Sequence, residues 1–125
     1  MFHFLHKRDI LHMHSILIDE YGGIHGLRDE GILESALAAA ENRAYYENAD
    51  LATCAATYAF HLSEAHAFLD GNKRIAAMAA EAFLELNDAY LELNNKQLEQ
   101  LIFEIAADEI DRNGVEQIFH EYIKN

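Results

Sequence analysis

The chain predicts an all-α fold: a compact bundle of about six helices, with at most a very short extended segment. Two observations predict it. Apolar residues recur three and four positions apart nearly throughout, the spacing of one helix face. Proline is absent altogether, so one strong helix breaker is missing. A third observation, the lack of any internal repeat, linker or low-complexity segment, predicts a single domain over residues 1–125.

The elements follow in order. Ile10, Met13, Leu17 and Tyr21 share one face of a first helix, which Tyr21-Gly22-Gly23 ends. Ile24-His25-Gly26-Leu27 is a loop. A second helix starts near Asp29, a natural N-cap, and carries Ile32, Leu33, Ala36, Leu37 and Ala40 before fraying near Asn42. Asn48-Ala49-Asp50 opens a third, with Leu51, Cys54, Ala55, Tyr58 and Leu62 on one side. Gly71 and Asn72 begin a fourth, whose face is Ile75, Met78, Ala79, Ala82, Phe83 and Leu86. The alanines of these two helices predict close approach and central burial. Asn87-Asp88-Ala89 is a turn, and Tyr90-Leu91-Glu92-Leu93 is briefly extended. Asn94 and Asn95 cap a fifth helix marked by Leu98, Leu101, Ile102, Ile105 and Ala106. Asn113-Gly114 breaks the chain, and Val115, Ile118, Phe119 and Tyr122 mark a short last helix.

Composition narrows the function classes. The formal charge is −13, which repels nucleic-acid phosphates and predicts no direct nucleic-acid binding. Cys54 is the single cysteine, so neither an internal disulfide nor a multi-cysteine metal site is available. Met1 to Arg8 does not read as a secretory signal, and no apolar run is long enough for a membrane span. A cytoplasmic location is the expectation.

The chemistry concentrates in His66-Ala67-Phe68-Leu69-Asp70-Gly71-Asn72-Lys73-Arg74. Gly71 and Asn72 lie at a helix start, where backbone N–H groups lack intrahelical partners and the helix dipole adds positive charge. Glycine lets the backbone approach an oxyanion closely. This is the physics of a phosphate cradle. Lys73 and Arg74 stand in the first helical turn, unfavourable for cations unless an anion sits there too. Asp70 is placed to bind Mg²⁺ that bridges phosphate oxygens. His66 is a general base for a hydroxyl near neutral pH. Phe68 points into the core and supports the loop. Taken singly, these residues also read as an N-cap, a turn and a solvated face; the combination at this spacing points to phosphoryl-type transfer.

The segment closely resembles the signature of the Fic/Doc family. The general family pattern is H-P-F-x-[D/E]-G-N-G-R, and the pattern of the Doc, or death-on-curing, toxin branch is H-x-F-x-[D/N]-[A/G]-N-K-R. Ala67 and Lys73 are Doc-like. The stretches Tyr21 to Asp29 and Ile32 to Leu37 resemble the Doc N-terminal region, so the likeness covers essentially the whole chain.

The resemblance implies ATP and Mg²⁺ as cofactors, His66 as base toward the target hydroxyl and Asp70 as metal ligand. It implies an anion hole at Gly71 and Asn72, phosphate contacts from Lys73 and Arg74, and loop organisation by Arg28 and Asp29. It implies a toxin that transfers the γ-phosphate of ATP to a Ser or Thr of a translation factor such as elongation factor Tu, arresting growth. Fic-type transfer of AMP (AMPylation) is the alternative, and Lys73, filling the space that glycine leaves to the phosphate chain, favours the γ-phosphate. The family's inhibitory pattern [S/T]-x-x-x-E-[G/N] has no match: Ser15 and Ser35 are followed four residues on by Asp19 and Ala39. Restraint by an antitoxin, through a tail that folds on binding, is therefore expected. A non-catalytic antitoxin-binding or co-repressor module is a further reading. A zinc site among His12, His14, His61 and His66 is disfavoured by their spacing.

Overall fold

The computed structural model describes all residues 1–125. Its elements are α1 (Lys7–Tyr21), α2 (Glu30–Glu47), α3 (Leu51–Ala65), α4 (Asn72–Leu86), β1 (Tyr90–Leu91), α5 (Asn95–Ala106), α6 (Arg112–Tyr122) and β2 (Ile123–Lys124). Six helices and one minimal strand pair agree with the expected all-α bundle.

Helix α3 is the axis. Every residue from Ala52 to Ala59 is buried, so α3 is covered on all sides. Its alanines let α2, α4, α5 and α6 pack against it. One apolar cluster of 29 buried residues draws on all six helices. Tyr58, fully buried, spends its hydroxyl as acceptor for the Leu5 amide at 3.1 Å, and burial pushes its phenol up to about 12. The N-terminal strap is held there too. Phe4 stacks on Phe83 at 5.7 Å, and the Asn87 side chain pairs with both backbone groups of His3.

The caps read from the sequence are present: Asp29, Asp50 and Asn94 each accept an amide of the first turn. Three expectations need correction. Helix α2 does not fray near Asn42 but runs to Glu47, closed by Asn48 in the left-handed region (φ 53°). The cause is tertiary: Arg43 is drawn inward to Glu116 at 2.8 Å and to Thr57 at 3.0 Å. Asn113-Gly114 breaks nothing; both lie in the first turn of α6, where the Gly114 amide donates to the Asp111 side chain. The break comes earlier, with Asp108 at φ 58°. Tyr21 and Leu86 are exposed rather than core. The brief extended segment is present as expected: Tyr90 and Leu91 pair antiparallel with Ile123–Lys124.

His120 on α6 bonds the Asp50 carboxylate at 2.7 Å and raises its own affinity for a proton, mainly through that bond and against partial burial. Burial acts to raise Asp50, but the Thr53 and His120 hydrogen bonds win and lower it. A raised histidine stabilises the fold below its unfolded value near 6.5, and the gain is lost as pH rises through the folded value. A lowered carboxylate acts above its unfolded value near 3.8 and is lost on acidification. The pair therefore works best between these limits. Both side chains are substantially solvated, so the contribution stays below about 1 kcal/mol. Thermal melts at about pH 6 and about pH 8 should show a smaller drop for His120→Gln than for the wild type. Equal drops would remove the pair as a pH-dependent tie.

Candidate functional site

The segment from His66 to Arg74 closes α3, turns, and opens α4. His66 ends α3 in the left-handed region (φ 50°, ψ 44°), which leaves its imidazole exposed beyond the helix. Ala67 and Phe68 turn inward and are buried. The Phe68 ring stacks on His14 of α1, with centroids 3.8 Å apart and planes at 12°. Asn72 closes the turn with two reciprocal bonds at 3.0 Å, its amide oxygen accepting the Phe68 N–H and its amide nitrogen donating to the Phe68 carbonyl.

The loop between α1 and α2 runs alongside and pins the turn. The amides of Arg28 and Asp29 donate to the Ala67 carbonyl, and the Leu69 amide donates to Gly26. Leu27 and Phe68 form an isolated antiparallel bridge. The Arg28 guanidinium donates from Nε to the His66 carbonyl at 2.8 Å. Arg28 and Asp29 thus organise the turn through its backbone, and Asp29 also caps α2. The Ile24 amide donates to Asp70 Oδ2 at 3.2 Å, and an added Cβ at Gly23 would lie 2.7 Å from that oxygen. Glycine at 23 is what permits the approach.

Asp70 and Gly71 sit at the start of α4. Gly71 is the N-cap in the left-handed region (φ 78°) and supplies no side-chain cap. The first bond into the helix is from the Ile75 amide to the Gly71 carbonyl. The amides of Asn72, Lys73 and Arg74 therefore face outward without an intrahelical acceptor. The Gly71 amide is taken by Asp70 Oδ1 at 2.9 Å.

Lys73 and Arg74 are two of six cations, with Arg8, Arg28, Lys96 and Arg112, that form no ion pair with a carboxylate. The chain carries 22 acidic and 9 basic residues, so carboxylates are abundant. Lys73 and Arg74 pair with none of them. Lys73 Nζ lies 5.7 Å from the centroid of the Phe103 ring, and Arg74 Cζ lies 4.6 Å from that of Tyr21. Such seats orient a cation without neutralising it. Exposed imidazole, carboxylate, free amides and two uncompensated cations thus share one turn.

A divalent ion would find one carboxylate here. Nowhere in the fold do three His, Cys, Asp or Glu side chains converge. Asp70 keeps lone pairs beyond its two amide bonds. That donor set fits Mg²⁺, which takes one or two carboxylates and draws its other ligands from phosphate and water. Two other features lie apart. Cys54 is buried, and burial pushes its thiol up to about 11, away from nucleophile chemistry. A depression of about 550 Å³ between α5 and α6, bordered by Leu93, Gln97, Leu101 and Tyr122, contains no residue of the turn.

A family model described as Fic/DOC family matches residues 4–84, from the N-terminal strap through nearly all of α4. The chain belongs to the Fic/DOC family. Its match to the family takes in both the pinning loop and the His66 turn, while α5 and α6 lie beyond the matched span. Among curated Fic/DOC relatives, "Protein kinase doc" of Escherichia phage P1 is 32% identical over 108 residues, 86% of this chain and 85% of that protein. "Toxin Doc" of Mycolicibacterium smegmatis is 33% identical over 119 residues, 92% of this chain and 89% of that protein. No helix of this Fic/DOC chain is long and apolar enough to cross a membrane.

Sequence reasoning missed His14, considering it only as a member of an unfavourable zinc set. A usable signal was there: Ile10, His14 and Ile18 fall four apart on the buried face of α1, so His14 had to meet a polar partner inside. It also missed Tyr21 and Phe103 as aromatic seats, because nothing local places either ring beside α4.

Proposed function

We propose that this Fic/DOC protein is a Doc-like toxin that transfers the γ-phosphate of ATP to a Ser or Thr hydroxyl of a translation factor of the elongation factor Tu kind, arresting growth in the cytoplasm. An antitoxin whose tail folds on binding restrains it. The observation that carries the reading is the pair of uncompensated cations, Lys73 and Arg74, at an amide-bearing helix start beside an exposed histidine. Other cations of the chain are unpaired too, so what supports the reading is the place of these two, in the first turn of α4 beside its free amides.

His66 takes the proton of the acceptor hydroxyl on a ring nitrogen. The hydroxyl oxygen bonds to the γ-phosphorus, the bond from that phosphorus to the β,γ-bridging oxygen breaks, and ADP departs with the electron pair. The amides of α4, Lys73 and Arg74 hold the phosphate oxygens as charge shifts onto the leaving group. Asp70 would hold Mg²⁺, whose charge neutralises the phosphate chain. The Lys73 side chain, its Nζ 5.7 Å from the Phe103 centroid, brings a charge where the general family pattern has glycine, which supports transfer of the γ-phosphate over AMP.

The test incubates the protein and Mg²⁺ with a cell lysate and ATP labelled at either the α- or the γ-phosphorus. The expected result is one labelled protein with the γ label and none with the α label. Labelling from the α position would convert the reading to AMP transfer. No labelling from either would leave a binding module in its place.

A further inference from the structure

We infer that His14 is a positioning residue that selects the orientation of the Asp70–Gly71 peptide and so keeps the anion site open. The inference rests on the nucleotide-binding reading above and deepens it.

His14 is 3% exposed. Its Nε2 lies 2.7 Å from the Asp70 carbonyl oxygen. A carbonyl only accepts, so Nε2 carries the proton and donates. In a trans peptide the carbonyl and the next N–H point to opposite sides of one plane. Drawing the Asp70 carbonyl inward to α1 therefore turns the Gly71 N–H away from α1, where Asp70 Oδ1 receives it at 2.9 Å.

The alternative is a flipped peptide, in which that carbonyl projects outward on the side of the α4 amides. A carbonyl oxygen there would face the phosphate oxygens with partial negative charge. Peptide flips are cheap where the second residue is glycine, since glycine accepts positive and negative φ about equally. Gly71 sits at φ +78° and is free of side-chain constraint. It stays glycine for a steric reason as well: a Cβ would lie 3.2 Å from Ile18 Cδ1 and 3.4 Å from His14 Nε2. The residue that lets the backbone reach an anion is thus also the one that lets it turn the wrong way. His14 supplies the missing preference from another helix, and its ring stacks on Phe68 in the same turn.

Two substitutions separate donor from packing. His14→Phe keeps a flat ring against Phe68 and removes the donor. His14→Gln removes the ring and places an amide N–H near the position of Nε2. The readouts are KM for ATP, kcat, and the affinity for MgADP by calorimetry, with thermal melts to certify folding. For His14→Phe, a KM about tenfold higher is expected, with MgADP affinity weaker by a similar factor and kcat within about threefold. His14→Gln should return both constants to within about threefold of the wild type. Should His14→Phe fail to fold, His14→Leu serves as the donor-free variant.

A phenylalanine variant with wild-type affinity and a defective glutamine variant would show that His14 acts by packing alone, and would overturn the assignment while leaving the function intact. A wild-type protein with no affinity for MgADP or MgATP would overturn the functional reading and this inference with it.

Discussion

Replacing His66 with alanine is expected to lower phosphoryl transfer by about 10²–10⁴-fold while leaving the fold in place. The imidazole is exposed, and the hydrogen bond that anchors His66 runs through its main-chain carbonyl to Arg28, so losing the ring breaks no contact of the core. Its left-handed backbone is the one complication. Alanine is less at ease there than histidine, which costs roughly 1 kcal/mol. His66→Asn isolates the chemistry, because asparagine tolerates that conformation and cannot act as a base near neutral pH. Both variants should keep nearly the wild-type KM for ATP, lose label transfer from γ-labelled ATP, and melt within about 5 °C of the wild type. Transfer at the wild-type rate by either variant would remove His66 as the base.

The largest expected effect on stability lies on the far side of α3. The Arg43 and Glu116 side chains are 13% and 12% exposed and meet at 2.8 Å. Glu116 Oε2 is buried with no partner of its own. The pair is therefore enclosed, and removing one member strands the other. Arg43→Leu would leave an uncompensated carboxylate between α3 and α6 and unbind Thr57, at a cost of about 3–5 kcal/mol. For a chain of this size that lowers Tm by about 10–20 °C. Adding Glu116→Leu should recover much of the loss, because an apolar pair of similar volume needs no charge compensation. Melting curves of the two single variants and the double variant measure this. A single variant that melts within about 3 °C of the wild type would mean that the two charges are solvated.

These two sites differ in how far the amino-acid order reveals them. The His66 turn is written in consecutive residues. Histidine, carboxylate, glycine and cations adjoin, and the physics of a helix start depends on neighbours alone. The same holds for the caps at Asp29, Asp50 and Asn94, whose side chains reach amides three positions on. It holds for α3, whose alanine run announces close neighbours on every side. Arg43 gave no such signal. In sequence it is a charged residue near an expected helix end, and its partner Glu116 lies on another helix. The misplaced end of α2 follows from that one unseen contact. The misread break at Asn113-Gly114 has a comparable origin: glycine costs a helix little in its first turn once Asp111 takes the Gly114 amide.

By itself the order of residues determined six helices, their inward faces and one candidate site turn, since periodicity, capping and a contiguous motif act over a few positions. Tertiary structure alone decided what holds that turn in shape: His14, 56 positions from the carbonyl it grips, the Gly23 and Arg28 loop laid along it, and the rings of Tyr21 and Phe103 beneath its two cations. Such partners are chosen by where whole helices come to rest, and burial of apolar faces sets that position without regard to distance along the chain.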